Sequence, residues 1–191
     1  MDRPRGNSGG KTMLDVLTLV LAVIGLGAVA FLVYVALLPG EFRIARTAEV
    51  AAPADRIFTL INDLHQFNRW NPFAKADPTS EISYSGPAQG VGAAFAWAGR
   101  KSGSGQMTIA TSVPSSLVTM QLDFTKPFTA HNRAEFSVVP RGGVCHVTWA
   151  MTGRRPYSHK LMGALFNMDR MVGDEFSKGL ANLKSLAETT A

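Results

Sequence analysis

The side chains able to do acid–base or metal chemistry are few in this chain, and they do not converge. The four histidines are His65, His131, His146 and His159. None stands at a metal-ligand spacing from a second His, Cys or carboxylate, so no metal site is assigned. Cyclisation or dehydration chemistry would need a buried acid or base beside a pocket. His131, Arg133 and Glu135 alternate along one strand-like segment, on the face opposite Ala134 and Phe136, which is the solvent face. Gln121 and Asp123 fall on the polar face of the preceding segment for the same reason. Asp169 interrupts an apolar helical stripe within Asn167-Met168-Asp169, and its direction is open. Nothing resembles a Ser/His/Asp triad, a phosphate loop or a nucleotide fingerprint, and Gly90-Val91-Gly92 is too short to count. No catalytic residue and no cofactor is therefore assigned. Cys145 is the only cysteine, which precludes an intrachain disulfide; its alternating apolar segment suits a small buried hydrophobe.

What the chain does supply is a set of large apolar and polarizable side chains that could wall an oily pocket: Trp70, Phe73, Phe95, Trp97, Met107, Phe124, Phe136, Trp149, Met168 and Val172. Each has a plainer alternative. Trp70, in Trp70-Asn71-Pro72-Phe73, either touches ligand as part of a lid or plugs the end of the core. Phe95 and Trp97 share a strand face, and Met107 with Ile109 raises the same question on the next strand; alternation guarantees the shared face without saying which side it is. Phe124, Phe136, Trp149, Met151 and Phe176 read first as core residues that could meet a ligand from its inner end. Met168, like Met162 and Met171, suits either a core or an adaptable pocket.

The elements that must position these residues begin with a long apolar segment. Residues 16–38, VLTLVLAVIGLGAVAFLVYVALL, run for 23 positions without a charge. As a helix they extend about 34 Å, enough for a hydrocarbon core of about 30 Å. A cleaved signal peptide is the main rival, given Arg3, Arg5 and Lys11, but its apolar region is about 7–15 residues long and no convincing small-x-small cleavage site precedes Pro39. The reading is a disordered tail over 1–12, a single transmembrane helix over 13–38 in contact with the lipid bilayer, and one domain over 41–191. The basic residues on the two flanks tie, so the positive-inside rule does not choose a side; a short basic tail commonly stays in the cytoplasm, which points the domain outward. Setting aside Arg3, Arg5, Lys11, Asp2 and Asp15 leaves 16 Lys and Arg against 12 Asp and Glu in the domain. These charges are scattered, with no basic stripe carrying exposed aromatics, so no nucleic-acid partner is expected.

Residues 42–51 read as a strand with Ile44, Ala48 and Val50 on one face. Pro53 and Asp55 suit the first turn of a helix, along which Ile57, Ile61 and Leu64 recur. A second short helical piece runs through HQFNRWNPF and stops at Pro72. Six strands follow, at 80–86, 91–98, 104–113, 116–125, 130–139 and 144–153, separated by Gly, Pro and Ser turn signals. A final helix over about 157–188 carries Leu161, Leu165, Met168, Val172, Phe176, Leu180, Leu183 and Ala187 at helical spacing. Gly163, Gly173 and Gly179 in its interior suggest close approach to something beside it. Consecutive strands with short turns favour an antiparallel meander, and only the last helix is long enough to cover its apolar face. The fold class is α+β: a curved seven-stranded antiparallel sheet around a long C-terminal helix, with two short helices between the first two strands.

This order of elements resembles the SRPBCC superfamily (START-like, helix-grip), in its bacterial polyketide cyclase/dehydrase and lipid-transport branch. The resemblance spans residues 42–188 and is carried by APADRIFTLINDLHQFNRWNPF (52–73), GVGAAFAWAG (90–99), SGQMTIATSVPSSLVTMQLDF (104–124), VTWAMTG (147–153) and FSKGLANLKSLAE (176–188). It implies that the first and last strands are neighbours, that a cavity lies between sheet and long helix, and that the ligand is hydrophobic or amphipathic. It also implies a bacterial cell membrane for the anchor. The superfamily includes carriers, receptors, cyclases and dehydratases, so fold alone does not choose among them. Three functions stay open: a membrane-anchored carrier or sensor of a lipid or other hydrophobic small molecule, a cyclase- or dehydratase-like enzyme, and a protein-interaction module whose cavity is filled.

Overall fold

The computed structural model describes residues 8–157, 160, 161, 163 and 167–189, with side chains from Leu14 onward. The apolar segment forms one helix, α1 (Ser8–Leu37). Leu14–Leu37, with mean hydropathy 2.8, is long and apolar enough to cross a membrane. The described part of the helix begins at Ser8. It ends just before Leu38-Pro39-Gly40, where proline and glycine disfavour continuation.

β1 (Glu41–Val50) follows at once, then α2 (Ala54–Asn62) and α3 (Leu64–Trp70). Asp63 separates these two helices and caps the second, its carboxylate accepting from the His65 and Gln66 amides. Two short helices were expected here; there are three. Asn71 ends α3 and immediately caps α4 (Pro72–Ala76), accepting from the Phe73 amide at 3.2 Å. Pro72 thus opens a helix where it was expected to stop one, since its missing N–H costs nothing in a first turn.

The strands are β2 (Glu81–Ser85), β3 (Ala94–Gly99), β4 (Gly103–Val113), β5 (Leu117–Lys126), β6 (Ala130–Arg141) and β7 (Val144–Arg154). They form one antiparallel sheet in the order β1-β7-β6-β5-β4-β3-β2, so first and last strands are neighbours. Gly142 and Gly143, at φ +55° and +89°, make the tight β6–β7 turn that side chains with a Cβ adopt poorly. A register shift between Ile109 and Thr111 bends β4 and helps curl the sheet.

The C-terminal helix, expected as one piece from about 157, is α5 (Met168–Glu188). Tyr157, Lys160, Leu161 and Gly163 are helical, but Asn167 leaves the helical region at ψ 82° and caps α5 through the Arg170 amide at 3.0 Å. An Asn side chain competes with helix hydrogen bonds in an interior and satisfies them at an N-cap. His159, Met162 and Leu165 lie outside the described residues.

α5 buries Phe176, Leu180, Leu183 and Ala187 against the concave face of the sheet. Polar ties fix it: the Lys184 ammonium donates to the Glu49 carbonyl at 2.7 Å, the Ala51 amide to the Glu188 carboxylate at 2.7 Å, and the Asn182 amide to the Trp70 carbonyl at 3.1 Å. Two of the three interior glycines mark close approaches. A Cβ on Gly179 would stand 2.6 Å from the Trp149 ring, and one on Gly173 would meet the Arg46 guanidinium, whereas Gly163 has open space around it.

Candidate ligand cavity

Sheet alternation aims Phe95 of β3, Met107 of β4, Leu122 and Phe124 of β5, Ala134 of β6, and Trp149 and Met151 of β7 to the concave side. α5 approaches that side with Val172 and Phe176, and α4 with Phe73, Ala74 and Ala76. The two halves of the interior differ. Towards α2 and α3, Phe67, Trp70, Phe136 and Trp149 pack edge to face or tilted with centroids 4.7–6.4 Å apart and fill the space. Beyond Trp149 and Phe176 the rings wall the space without filling it: Trp97 packs with Phe95 and Phe124 at 5.9 and 5.5 Å, Phe73 packs with Trp149 and Phe176 at 6.2 and 6.3 Å, and a cavity of about 360 Å³ remains. That volume lies within the range of small-molecule sites.

Seven of the ten residues singled out in the sequence line this hollow: Phe73, Phe95, Trp97, Met107, Phe124, Trp149 and Val172. Trp70 does not; it is fully buried, and its indole N–H donates to the Leu60 carbonyl at 2.8 Å, so it plugs the packed half. Phe136 is likewise in the packed core, and Met168, 40% exposed, sits at the start of α5 off the wall. Trp97 lies against β4 at its register partner Gly105, where a Cβ would stand 2.6 Å or less from the indole. A glycine opposite a tryptophan thus lets the ring lie flat and shapes the wall.

One edge of the cavity is polar, with Asn71, Asp77, Ser80, Lys101 and Ser102. Of these, only Asn71, within Trp70-Asn71-Pro72-Phe73, stood out in the sequence. Asp77 is 3% exposed and its carboxylate is saturated: it accepts from the Thr79 hydroxyl at 2.7 Å and amide at 3.3 Å, the Lys101 amide at 2.9 Å, and the Ser102 amide and hydroxyl at 3.2 and 3.3 Å. The Thr79 hydroxyl above all, then the two backbone amides, hold this carboxyl well below the ordinary carboxylate range. It staples the 99–103 turn over the cavity lip and is a poor proton acceptor. The signal available in sequence was Asp77-Pro78-Thr79-Ser80, a run whose side chains favour local turn hydrogen bonds. Lining by Ala74, Ala76 and Ala134 had no such signal, because a small residue announces neither contact nor space.

The titratable groups weighed for chemistry lie elsewhere. His131 and Asp123 pair at 2.6 Å on the convex face, His146 approaches Glu49 at 3.9 Å on that face, and His65 stacks on Tyr84. Asp169 pairs with Arg46 at 3.1 Å, outside the cavity wall. No cluster of metal-ligating side chains occurs among the described residues.

A curved antiparallel sheet gripping one long helix, with an oily hollow beside it, defines the helix-grip class. The chain belongs to the polyketide cyclase / dehydrase and lipid transport family, whose pattern matches residues 41–188. Comparison with curated protein sequences gave no match. Among solved structures, the chain is similar to truncated norcoclaurine synthase from Thalictrum flavum (14% identity, 79% of this chain and 96% of that one, TM-score 0.59). It is also similar to protein MLL2253 from Mesorhizobium loti (12%, 78% and 99%, TM-score 0.57) and to Aha1 from Colwellia psychrerythraea (14%, 78% and 97%, TM-score 0.56). At these identities the likeness is one of fold.

Proposed function

We propose that this protein is anchored in a membrane by α1 and binds a lipid or other hydrophobic small molecule in the cavity between the sheet and α5, as a carrier or sensor. The observation that carries this reading is the aromatic-walled space of about 360 Å³ left between the sheet, α4 and α5, lined by Phe95, Trp97, Met107, Phe124 and Trp149. Apolar surface facing such a space gains about 25 cal/mol per Å² when an apolar ligand covers it. The polar edge at Ser80, Lys101 and Ser102 suits a ligand with one polar end. The family's association with lipid transport agrees with this ligand class.

Binding is favoured over acid–base catalysis because the ionisable groups on the described wall are Asp77, already saturated with hydrogen bonds, and Lys101, exposed at the lip. Native mass spectrometry of the full chain, extracted into lipid-free micelles, tests the reading. A bound apolar species that an apolar dye displaces is the expected result. A cavity that neither retains a cellular ligand nor takes up the dye would refute it.

A further inference from the structure

The hollow and the apolar helix meet at the same end of the sheet. Only Leu38, Pro39 and Gly40 separate α1 from β1. Glu41, the first residue of β1, pairs with Arg154, the last of β7. Followed across the antiparallel register, that edge continues through Ala130, Lys126, Gly103 and Gly99 to Glu81. The wall residues Met151, Ala134, Phe124, Trp97 and Ile82 all lie near it. At the opposite end Val50, Val118, Val138 and Cys145 are buried in solid core.

The apolar helix is fixed to the domain. The Arg155 amide donates to the Gly40 carbonyl at 2.7 Å, the Tyr157 hydroxyl to the Leu32 carbonyl at 3.2 Å, and the Lys160 ammonium to the Ala36 carbonyl at 3.1 Å. Ala36 is in the last turn, where helix carbonyls lack partners. Val35 is fully buried, in a helix whose other described side chains are exposed. Leu32 lies about 7.5 Å before the end of α1 at 1.5 Å per residue, so the Tyr157 ring reaches the level where tyrosine favours a membrane boundary.

Charge sorts along the same axis. Arg100, Lys101, Lys126, Arg154, Arg155 and Lys160 stand at or beside the cavity-bearing end, where they outnumber the exposed carboxylates Glu41 and Glu81 on the same edge, with the exposed rings of Phe73 and Phe128. The far turns, 51–53, 114–116 and 142–143, contain no charged residue, with Arg141 beside the last. Clustered cations next to an anchoring helix are attracted to anionic headgroups.

We infer that the cavity-bearing end of the domain docks on the anionic bilayer holding α1, so that a ligand passes between leaflet and cavity without crossing bulk water. This rests on α1 being a membrane anchor. The test places the full chain in vesicles of phosphatidylcholine with a minority of phosphatidylglycerol, some lipids carrying a nitroxide quencher on the headgroup. A fluorescent label is attached at Thr129→Cys, near the cavity-bearing end, or at Ser116→Cys, at the far end; both sites are exposed. The label at 129 loses several-fold more emission than that at 116. Charge reversal by K101E with K126E reduces the difference on anionic vesicles and leaves it nearly unchanged on pure phosphatidylcholine. Equal quenching at the two sites, or greater quenching at 116, in a chain that floats with the vesicles overturns the docking alone. A chain that does not float with them overturns the anchor and the docking together, while dye uptake in micelles reports separately on the cavity.

Discussion

The indole of Trp149 stacks on the ring of Phe176 with centroids 4.2 Å apart and planes 9° apart. This pair is the partition of the interior. Trp149 also packs with Phe67, Trp70 and Phe136 in the filled half, and both rings contribute to the wall of the hollow half. Truncating Phe176 to Ala removes the stack and merges new space with the cavity. The expected loss is about 3 kcal/mol or more, as for other buried aromatics truncated to Ala. Denaturant unfolding measures it, as a lower midpoint at an unchanged slope.

The helix glycines separate by environment. Gly179→Ala forces a methyl against Trp149 and Pro72 and is destabilising by about 1–3 kcal/mol, despite the better helix propensity of Ala. Gly163→Ala meets nothing and gains up to about 1 kcal/mol from propensity. Melting temperatures of the two variants should therefore shift in opposite directions; a shift of the same sign in both would contradict the close packing of α5 on Trp149.

Two tryptophans with different surroundings separate pocket from core. Trp97→Ala removes a wall of the cavity and weakens binding of an apolar dye by about tenfold, corresponding to about 1.4 kcal/mol of lost contact. Trp70→Phe lowers stability through the lost Leu60 hydrogen bond and leaves dye affinity nearly unchanged. Fluorescence titration checks both, and equal effects on affinity would place the bound dye outside the described hollow.

Asp77 sets an acid limit. Its carboxyl titrates lower in the folded chain than the ordinary value of about 3.9, so the folded state binds fewer protons than the unfolded one at acidic pH. The stabilisation is fully present above about pH 4 and is lost as pH falls from there through the folded-state value. In Asp77→Asn that part of the acid dependence disappears, at the cost of lower stability near neutrality. Parallel acid-unfolding curves for wild type and variant would sink this assignment.

Cys145 is buried and its thiol donates to the Ala52 carbonyl at 3.4 Å; burial pushes its pKa up. Thiolate is the reactive form, so the native chain should resist an aromatic disulfide reagent over the time in which the denatured chain reacts to completion. Rapid labelling of the native protein would show that this corner opens.

Period-2 and helical spacing made the fold legible. Val118, Met120 and Leu122, or Cys145, Val147 and Trp149, fix which face of a strand is apolar, and Gly-Pro punctuation separates one strand from the next. Boundaries that depend on competition between local hydrogen bonds were less legible. Asn167 could continue a helix or cap one, and Pro72 could end a helix or begin one; in each case the capped alternative prevails.

By itself, the sequence determined an apolar helix beside a seven-stranded α+β domain and named most of the large side chains that wall its interior, because side-chain periodicity survives in one dimension. It could not determine where those side chains leave space. Phe136 and Phe124 have the same chemistry and lie on consecutive inward-facing strands, yet one meets Trp70 and Trp149 while the other faces the hollow. That difference is set by three-dimensional packing: α2 and α3 cover one end of the sheet, and α4 with its short alanine side chains leaves the other end unfilled. The saturation of Asp77, and the shared end of cavity and apolar helix, likewise arise only when residues distant in sequence are brought together by the register of the sheet.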